Sequence, residues 1–246
     1  MKILALDSSG MVASAAIVEE GRLLAEYTVN YKKTHSQTLL PMLDEIGKMI
    51  ELDLNSIDVI AVAGGPGSFT GLRIGSATAK GLGLALEKPL VSVPTLEGLA
   101  CNLYGTDRVI CPMMDARRSQ VYTGIYDFQE NGLHVLEEQM AVPVQEIIEK
   151  LNRIGREVIL LGDGVAVYRE ELEKGLQVPY SCAPAHLNQQ RASAVAMRAL
   201  DYVRQGKTET AEEHQPDYLR VSQAERERNE RLKHQETEAE RSSENS

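Results

Sequence analysis

The chain has 246 residues, 43% of them hydrophobic, and a formal net charge of −10. That length supports one large domain or two small lobes, with a core that needs no covalent staples. The acidic balance excludes a stand-alone nucleic-acid binder, whose nonspecific affinity would come from neutralising phosphates with Lys and Arg.

The N-terminal Met1-Lys2-Ile3-Leu4-Ala5-Leu6-Asp7 turns polar too soon for a secretory leader, and no later apolar run reaches membrane-spanning length, so a cytoplasmic protein is expected. Residues 2–7 are predicted as a first apolar strand. Strands over 13–18 and 23–29 follow, with Glu19-Glu20-Gly21-Arg22 as the hairpin turn between them. Ser36 can then cap a helix carrying Leu39, Leu40, Leu43, Ile46 and Ile50 at helical spacing, with Pro41 near enough to its start to be tolerated. It should end near Asp53-Leu54-Asn55.

The apolar run Val59-Ile60-Ala61-Val62-Ala63 is a fourth strand, and it runs into the most distinctive stretch of the chain, Gly64-Gly65-Pro66-Gly67-Ser68-Phe69-Thr70-Gly71. Small residues there let the backbone turn sharply and approach a neighbour. From Leu72 to about Leu86 the pattern is helical, with Ser68 or Thr70 as N-cap. A helix start of this kind offers unpaired N–H groups to an anion, which makes Asp7, Gly65, Gly67, Ser68 and Thr70 candidates to face a phosphate or nucleotide. The alternative is a plain turn. No Gly-Lys-Ser/Thr closes a P-loop, and Thr70 stands where a dinucleotide fingerprint needs its third glycine. The helix itself is rich in Gly and Ala, which weaken it in isolation, so close packing on another backbone is expected, within the chain or across a dimer.

Next come a strand over 89–93, a helix over 96–103 and strands over 108–114, 120–126 and 133–139. A helix over 145–151, a strand over 157–161 and helices over 165–174 and 191–203 complete the ordered chain. Strand, strand, strand, helix, strand, helix therefore occurs twice, an internal repeat that argues for two α/β lobes. Lobes are expected at residues 1–105 and 106–221, the helix at 191–203 packing back on the first. Residues 222–246 have only Ala224, Leu232 and Ala239 as apolar residues among mixed charges, which predicts a solvated or disordered tail.

Reactive groups are scarce. Cys101, Cys111 and Cys182 are odd in number and lack CxxC spacing, which fits buried thiols in a reducing compartment. His35, His134, His186, His214 and His234 include no pair one helical turn apart, and no Gly-x-Ser-x-Gly elbow occurs. Asp115 ends a strand as Asp7 does. The adjacent Arg117 and Arg118 are expected to pair with surface acids. No catalytic residue and no metal site are assigned.

Several stretches taken together resemble the TsaB family, also called YeaZ: Ile3 to Ser9, His35-Ser36-Gln37-Thr38-Leu39-Leu40-Pro41, Gly64 to Gly75, Ala79-Lys80-Gly81-Leu82, Val93 to Ala100, Met114-Asp115-Ala116-Arg117-Arg118 and Pro216-Asp217-Tyr218-Leu219-Arg220. They span residues 1 to about 221 in order. The resemblance implies the two-lobed actin, Hsp70 and sugar-kinase (ASKHA) fold with a duplicated βββαβα unit. It also implies a non-catalytic subunit required for threonylcarbamoyl transfer to a tRNA adenosine beside the anticodon, acting by binding TsaD. TsaE, an ATPase, would join the assembled complex, tRNA would be met only through that complex, and the chain alone would form a homodimer. The expected partner surface is His35, Leu39, Leu43, Ile74, Ala77, Thr78, Gly81 and Ala85. No cofactor is implied for the chain itself, with ATP or ADP at the subunit junction as an open alternative. The resemblance also bears on metal: TsaD carries His-Leu-Glu-Gly-His where this chain has Thr95-Leu96-Glu97-Gly98-Leu99. An ATP-dependent phosphotransferase or ATPase of the same fold group, using Asp7 and the glycine turn, is the alternative reading.

Overall fold

The computed structural model describes residues 1–31 and 35–219, apart from the side chains of His35 and Ser36. The expected tail at 222–246 and Arg220 of the last matching stretch lie outside the described residues. The first unit runs β1 (Lys2–Asp7), β2 (Val12–Glu19), β3 (Arg22–Asn30), α1 (His35–Met49), β4 (Val59–Gly65), α2 (Phe69–Leu86), β5 (Leu90–Pro94) and α3 (Thr95–Ala100). The second runs β6 (Val109–Asp115), β7 (Gln120–Gln129), β8 (Gly132–Pro143), α4 (Val144–Ile154), β9 (Val158–Leu161), α5 (Asp163–Val167), α6 (Arg169–Gly175) and β10 (Tyr180–Cys182), before a last helix α7 (Ala192–Arg204).

Two five-stranded sheets result, ordered β3-β2-β1-β4-β5 and β10-β9-β6-β7-β8. In each, the unit's first strand is central, with an antiparallel hairpin on one side and a parallel strand, reached through a helical crossover, on the other. The duplicated βββαβα unit is thus realised in both halves, giving the two-lobed α/β architecture of the actin, Hsp70 and sugar-kinase group.

Alternation along the strands decides what each face meets. In the first sheet Leu4, Leu6, Ala15, Ile17, Ile60 and Val62 face α1 and α2. The opposite face carries Ala5, Ala16, Ala61 and Ala63, short enough for α7 to approach through its own Ala192, Ala196 and Ala199. In the second sheet Val109, Cys111 and Leu160 pack under α4, α5 and α6. Its other face, with Ile110, Met114 and Tyr126, receives Leu96 and Leu99 of α3.

The two halves therefore exchange helices: α3, which follows the first sheet, packs on the second, and α7, which follows the second sheet, packs on the first. Where these helices cross, Arg198 Nε donates to Glu97 Oε2 at 2.6 Å and Tyr202 Oη donates to the same oxygen at 2.9 Å. Both charged side chains are less than a tenth exposed. The start of α7 is fixed as well, since Ser14 Oγ accepts from the Ala192 N–H at 2.9 Å and Glu26 accepts from the Ser193 N–H at 3.0 Å. A carboxylate at that end also suits the helix dipole.

Three expectations need correction. The helix after the glycine turn starts at Phe69, because Ser68 is its N-cap, accepting from the Gly71 N–H; Thr70 lies inside the first turn. The helix expected over 165–174 is broken at Tyr168, whose backbone leaves the helical region (φ −106°, ψ 25°) while its hydroxyl bonds Asp115 and the Gln120 carbonyl. β10 is new, and three residues are too few for a period to show.

Removing one partner of the crossing pair leaves the other charge buried and alone. Arg198→Met is expected to destabilise the chain by about 3–5 kcal/mol in urea unfolding, with part of the loss recovered in Arg198→Met/Glu97→Gln. A loss below about 1 kcal/mol for the single variant would show that the crossing does not need the pair.

Candidate functional site

The glycine turn brings the ends of β1 and β4 together. Asp7 is buried, and its Oδ1 accepts from the Ser9 N–H at 2.9 Å and the Ser9 hydroxyl at 2.7 Å. The Ser9 carbonyl in turn accepts from the Ser68 N–H at 2.6 Å. A Cβ at Gly67 would fall on that carbonyl, and one at Gly75 would reach the Ser8 hydroxyl, which donates to Gly71 O at 2.9 Å. Glycine is thus required where two backbones touch. The structure joins Asp7, Gly67 and Ser68 through Ser9; Thr70 stands exposed beside them.

Gly65 meets a different partner. Its φ of +125° lies outside the range of ordinary side chains, and a Cβ there would fall on the Asp217 carbonyl oxygen. The Asp217 N–H donates to Gly64 O at 2.7 Å, while Gly65 N–H donates to the Thr95 hydroxyl at 3.1 Å. Asp217 also accepts from Gln139 of β8 at 3.1 Å, so it ties the two halves together.

Asp217 belongs to a strap, residues 208–219, that follows α7 and returns along α2. Glu209 bridges Leu90 at the edge of the first sheet, Ala211 enters the core beside Gly83, and the Lys80 ammonium donates to the carbonyls of Glu212 and His214. His214 is 1% exposed; its Nδ1 lies 2.7 Å from Glu209 Oε1 and its Nε2 3.0 Å from Ser76 Oγ. Tyr218 ends the run against Phe69, with ring centroids 4.5 Å apart. The relay of Ser76, His214 and Glu209 has the order of a hydrolytic triad, but Ser76 is 4% exposed on a mid-helix turn where no substrate carbonyl reaches it. Its evident work is to hold the strap. Sequence reasoning missed it because Ser76 and His214 are 138 residues apart; the stretch from Pro216 to Arg220 was the available hint.

The outer faces of α1 and α2 carry small and apolar residues. Ala77, Gly81 and Ala85 are exposed one turn apart along α2, and nothing lies within 4 Å of a Cβ at Gly81. Leu84 on α2 and Leu40 on α1 are 55% and 53% exposed. Leu39 and Leu43, expected on the partner surface, are instead 1% and 6% exposed in the core under the first sheet, because the apolar stripe of α1 faces inward. Ile74 and Thr78 are half-buried, Thr78 donating to the Ile74 carbonyl. His35 opens α1, and its side chain lies outside the described residues.

At the corresponding edge of the second sheet, Asp115 Oδ1 accepts from the Arg117 N–H at 2.8 Å and the Tyr168 hydroxyl at 3.0 Å. Burial pushes the neighbouring Asp163 carboxyl above its usual range, and the Asp115 charge adds to this. Arg117 and Arg118 do not pair with acids as expected: both are exposed and neither has an ion-pair partner among the described residues. Burial also holds the Cys101 and Cys111 thiols up at about 12, which makes them poor nucleophiles, whereas Cys182, expected to be buried, is exposed on the short strand β10. Among the described residues no group of three or more His, Cys, Asp or Glu side chains is placed to hold a metal ion, and no helix is long and apolar enough to cross a membrane. Where TsaD-type enzymes carry two histidines, Thr95 accepts the Gly65 N–H and Leu99 is 1% exposed in the core between the halves.

Fold and site together define a two-lobed α/β protein built from a duplicated βββαβα unit, with its glycine turn packed against the chain's own backbone. A family model described as TsaD, tRNA N6-adenosine threonylcarbamoyltransferase, matches residues 22–228. The tRNA threonylcarbamoyladenosine biosynthesis protein TsaB of Bacillus subtilis is 34% identical, over 92% of this chain and 96% of its own length. The protein of that name from Escherichia coli is 32% identical, over 89% and 95%. The structure of YeaZ from Pseudomonas aeruginosa superposes with a TM-score of 0.77 at 29% identity, covering 89% of this chain and 99% of that one. The chain belongs to the TsaB family of tRNA threonylcarbamoyladenosine biosynthesis proteins.

His214→Leu deprives the Ser76 hydroxyl and the Glu209 carboxylate of their partner. It is expected to cost about 2 kcal/mol in urea unfolding and to raise hydrogen exchange or protease cutting first within residues 208–219. Unchanged protection of the strap would show that the relay does not hold it.

Proposed function

We propose that the chain is the non-catalytic, cytoplasmic subunit of a tRNA threonylcarbamoyltransferase assembly, and that it acts by binding and activating TsaD through its N-terminal lobe, residues 1–105. The observation that carries this reading is the exposed stripe of Ala77, Gly81 and Ala85 with Leu84 on α2, together with the exposed Leu40 of α1. Small residues one turn apart let a partner helix approach the α2 backbone, and the leucines supply apolar area that is otherwise uncovered. The names of the relatives place them in the same pathway. Ile74 and Thr78 support this face from beneath, while Leu39 and Leu43 hold α1 in place and do not contact the partner.

The TsaE ATPase joins the assembly once TsaD is bound, and tRNA is met there and not by the free chain. Alone, the chain pairs with a second copy through the same helices. The competing reading, an ATP-dependent phosphotransferase, requires a phosphate on the glycine turn. The Ser68 N–H is taken by the Ser9 carbonyl, the Gly65 N–H by the Thr95 hydroxyl and the Gly71 N–H by the Ser68 side chain, so a phosphate at these donors would have to displace the chain's own groups.

Gly81→Arg or Ala77→Glu puts a charge into the packed face. Each is expected to weaken TsaD binding by at least 100-fold, about 3 kcal/mol, with thermal unfolding of the isolated chain little changed. Intact heterodimer in gel filtration would refute the proposed surface. Micromolar ATP-Mg²⁺ binding with turnover by the isolated chain would favour the phosphotransferase instead.

A further inference from the structure

The chain carries 36 acidic residues against 26 basic ones. Arg108, Arg156, Arg169, Arg191, Arg198 and Arg204 each lie within ion-pair distance of a carboxylate. Among the described residues Arg22, Arg73, Arg117, Arg118 and Arg153 do not, and of these only Arg117 and Arg118 are consecutive, both of them exposed.

The turn that bears them, between β6 and β7, is clamped. Ala116 N–H donates to Gln120 O at 3.0 Å and Gln120 N–H to Arg117 O at 3.2 Å. Asp115 holds the Arg117 N–H, and the Tyr168 hydroxyl reaches both Asp115 and the Gln120 carbonyl. Within this frame Arg117, Arg118 and Ser119 all adopt left-handed backbone, with φ of 60°, 55° and 57°. Three successive residues other than glycine in that region are strained. Such strain persists where the surroundings over-determine it, often at ligand clamps.

Asp115 turns its Oδ1 to the Arg117 N–H and the Tyr168 hydroxyl, and among the described residues no carboxylate lies within ion-pair distance of either guanidinium. What emerges is a rigid base with two permanently charged forks, each suited to pairing two oxygens of a phosphate. Repeating anions one step apart suit two consecutive arginines.

We propose that the turn at Arg117 and Arg118 is a contact for the phosphodiester backbone of the tRNA within the assembled complex. This rests on the reading that the chain serves a tRNA-modifying assembly. With a net charge of −10 the chain cannot hold RNA by itself; two fixed arginines instead set the register of an RNA that the partner retains. Phosphate contacts of that kind position the nucleic acid without reading its sequence.

The test uses the full chain co-purified with TsaD and measures tRNA affinity over a range of KCl concentrations. Arg117→Ala/Arg118→Ala is expected to weaken binding about tenfold at low salt and to flatten the log–log salt dependence by about 1–2, with heterodimer formation intact. Arg117→Lys/Arg118→Lys is expected to keep most of the slope, and Ser119→Gly, which suits the left-handed backbone and leaves the charge unchanged, to bind as the wild type does. Unchanged affinity and slope in the alanine variant would overturn the proposal. So would loss of TsaD in place of tRNA, which would make the turn a protein contact. If the wild-type chain does not associate with TsaD at all, gel filtration shows that failure before any RNA is added, and the proposal falls with the functional reading on which it rests.

Discussion

The crossing of α3 and α7 through Glu97 and Arg198 is the constraint on which the arrangement of the two halves depends. Each helix follows one sheet and packs on the other, so neither half completes its core until both have formed. A buried ion pair contributes little net stability, because desolvating both charges offsets their attraction. Its effect is on specificity. An α7 shifted by one turn would part Arg198 from Glu97, leaving the guanidinium only Asp201 of its own helix and the buried Glu97 without its cation, and that alternative packing is disfavoured. The second oxygen-seeking group, the Tyr202 hydroxyl, narrows the choice further.

With that crossing fixed, the strap and the glycine turn follow. α7 ends beside the edge of the first sheet, and the chain leaving it runs back over α2, where His214, Lys80 and Asp217 secure it. Ser9, Thr95 and the Ser68 side chain take N–H groups of the turn that an anion would need, while the strap occupies the Gly64 carbonyl. The surface left open is then the outer side of α1 and α2, whose inner sides are committed to the sheet. One set of contacts thus closes the part of the fold suited to ligand and stiffens the helix that presents the proposed docking face.

Much of this was legible in the residues. Continuous apolar runs such as Ile3 to Leu6 and the order of elements gave the duplicated unit, because the central strands are buried on both faces and each turn carries its own punctuation. The glycine run marked a close approach of backbones, though not of which ones: Ser9 and Asp217 are brought to Gly67 and Gly65 from distances along the chain that no local pattern encodes. Leu39 and Leu43 were misplaced for a physical reason, since spacing identifies an apolar stripe but not whether that stripe faces core or partner. The informative positions on α1 and α2 were the exceptions to the stripe, Leu40 and Leu84, and the small residues opposite it. Pairing of Arg117 and Arg118 was the natural expectation in an acidic chain. Their clamped, left-handed turn, which composition cannot show, is what withholds them from it.

The bridge between Glu209 and Leu90 has a consequence for the life of the chain in a cell. β5 is the outermost strand on its side of the first sheet, and this single antiparallel bridge occupies the outward N–H and carbonyl of Leu90. A polypeptide cut or terminated ahead of residue 208 would keep both sheets and α7, yet would expose a bare strand flanked by the hollow that Ala211 had filled. Such a product would invite foreign strands to add to it, so the final stretch guards against aggregation as well as completing the fold.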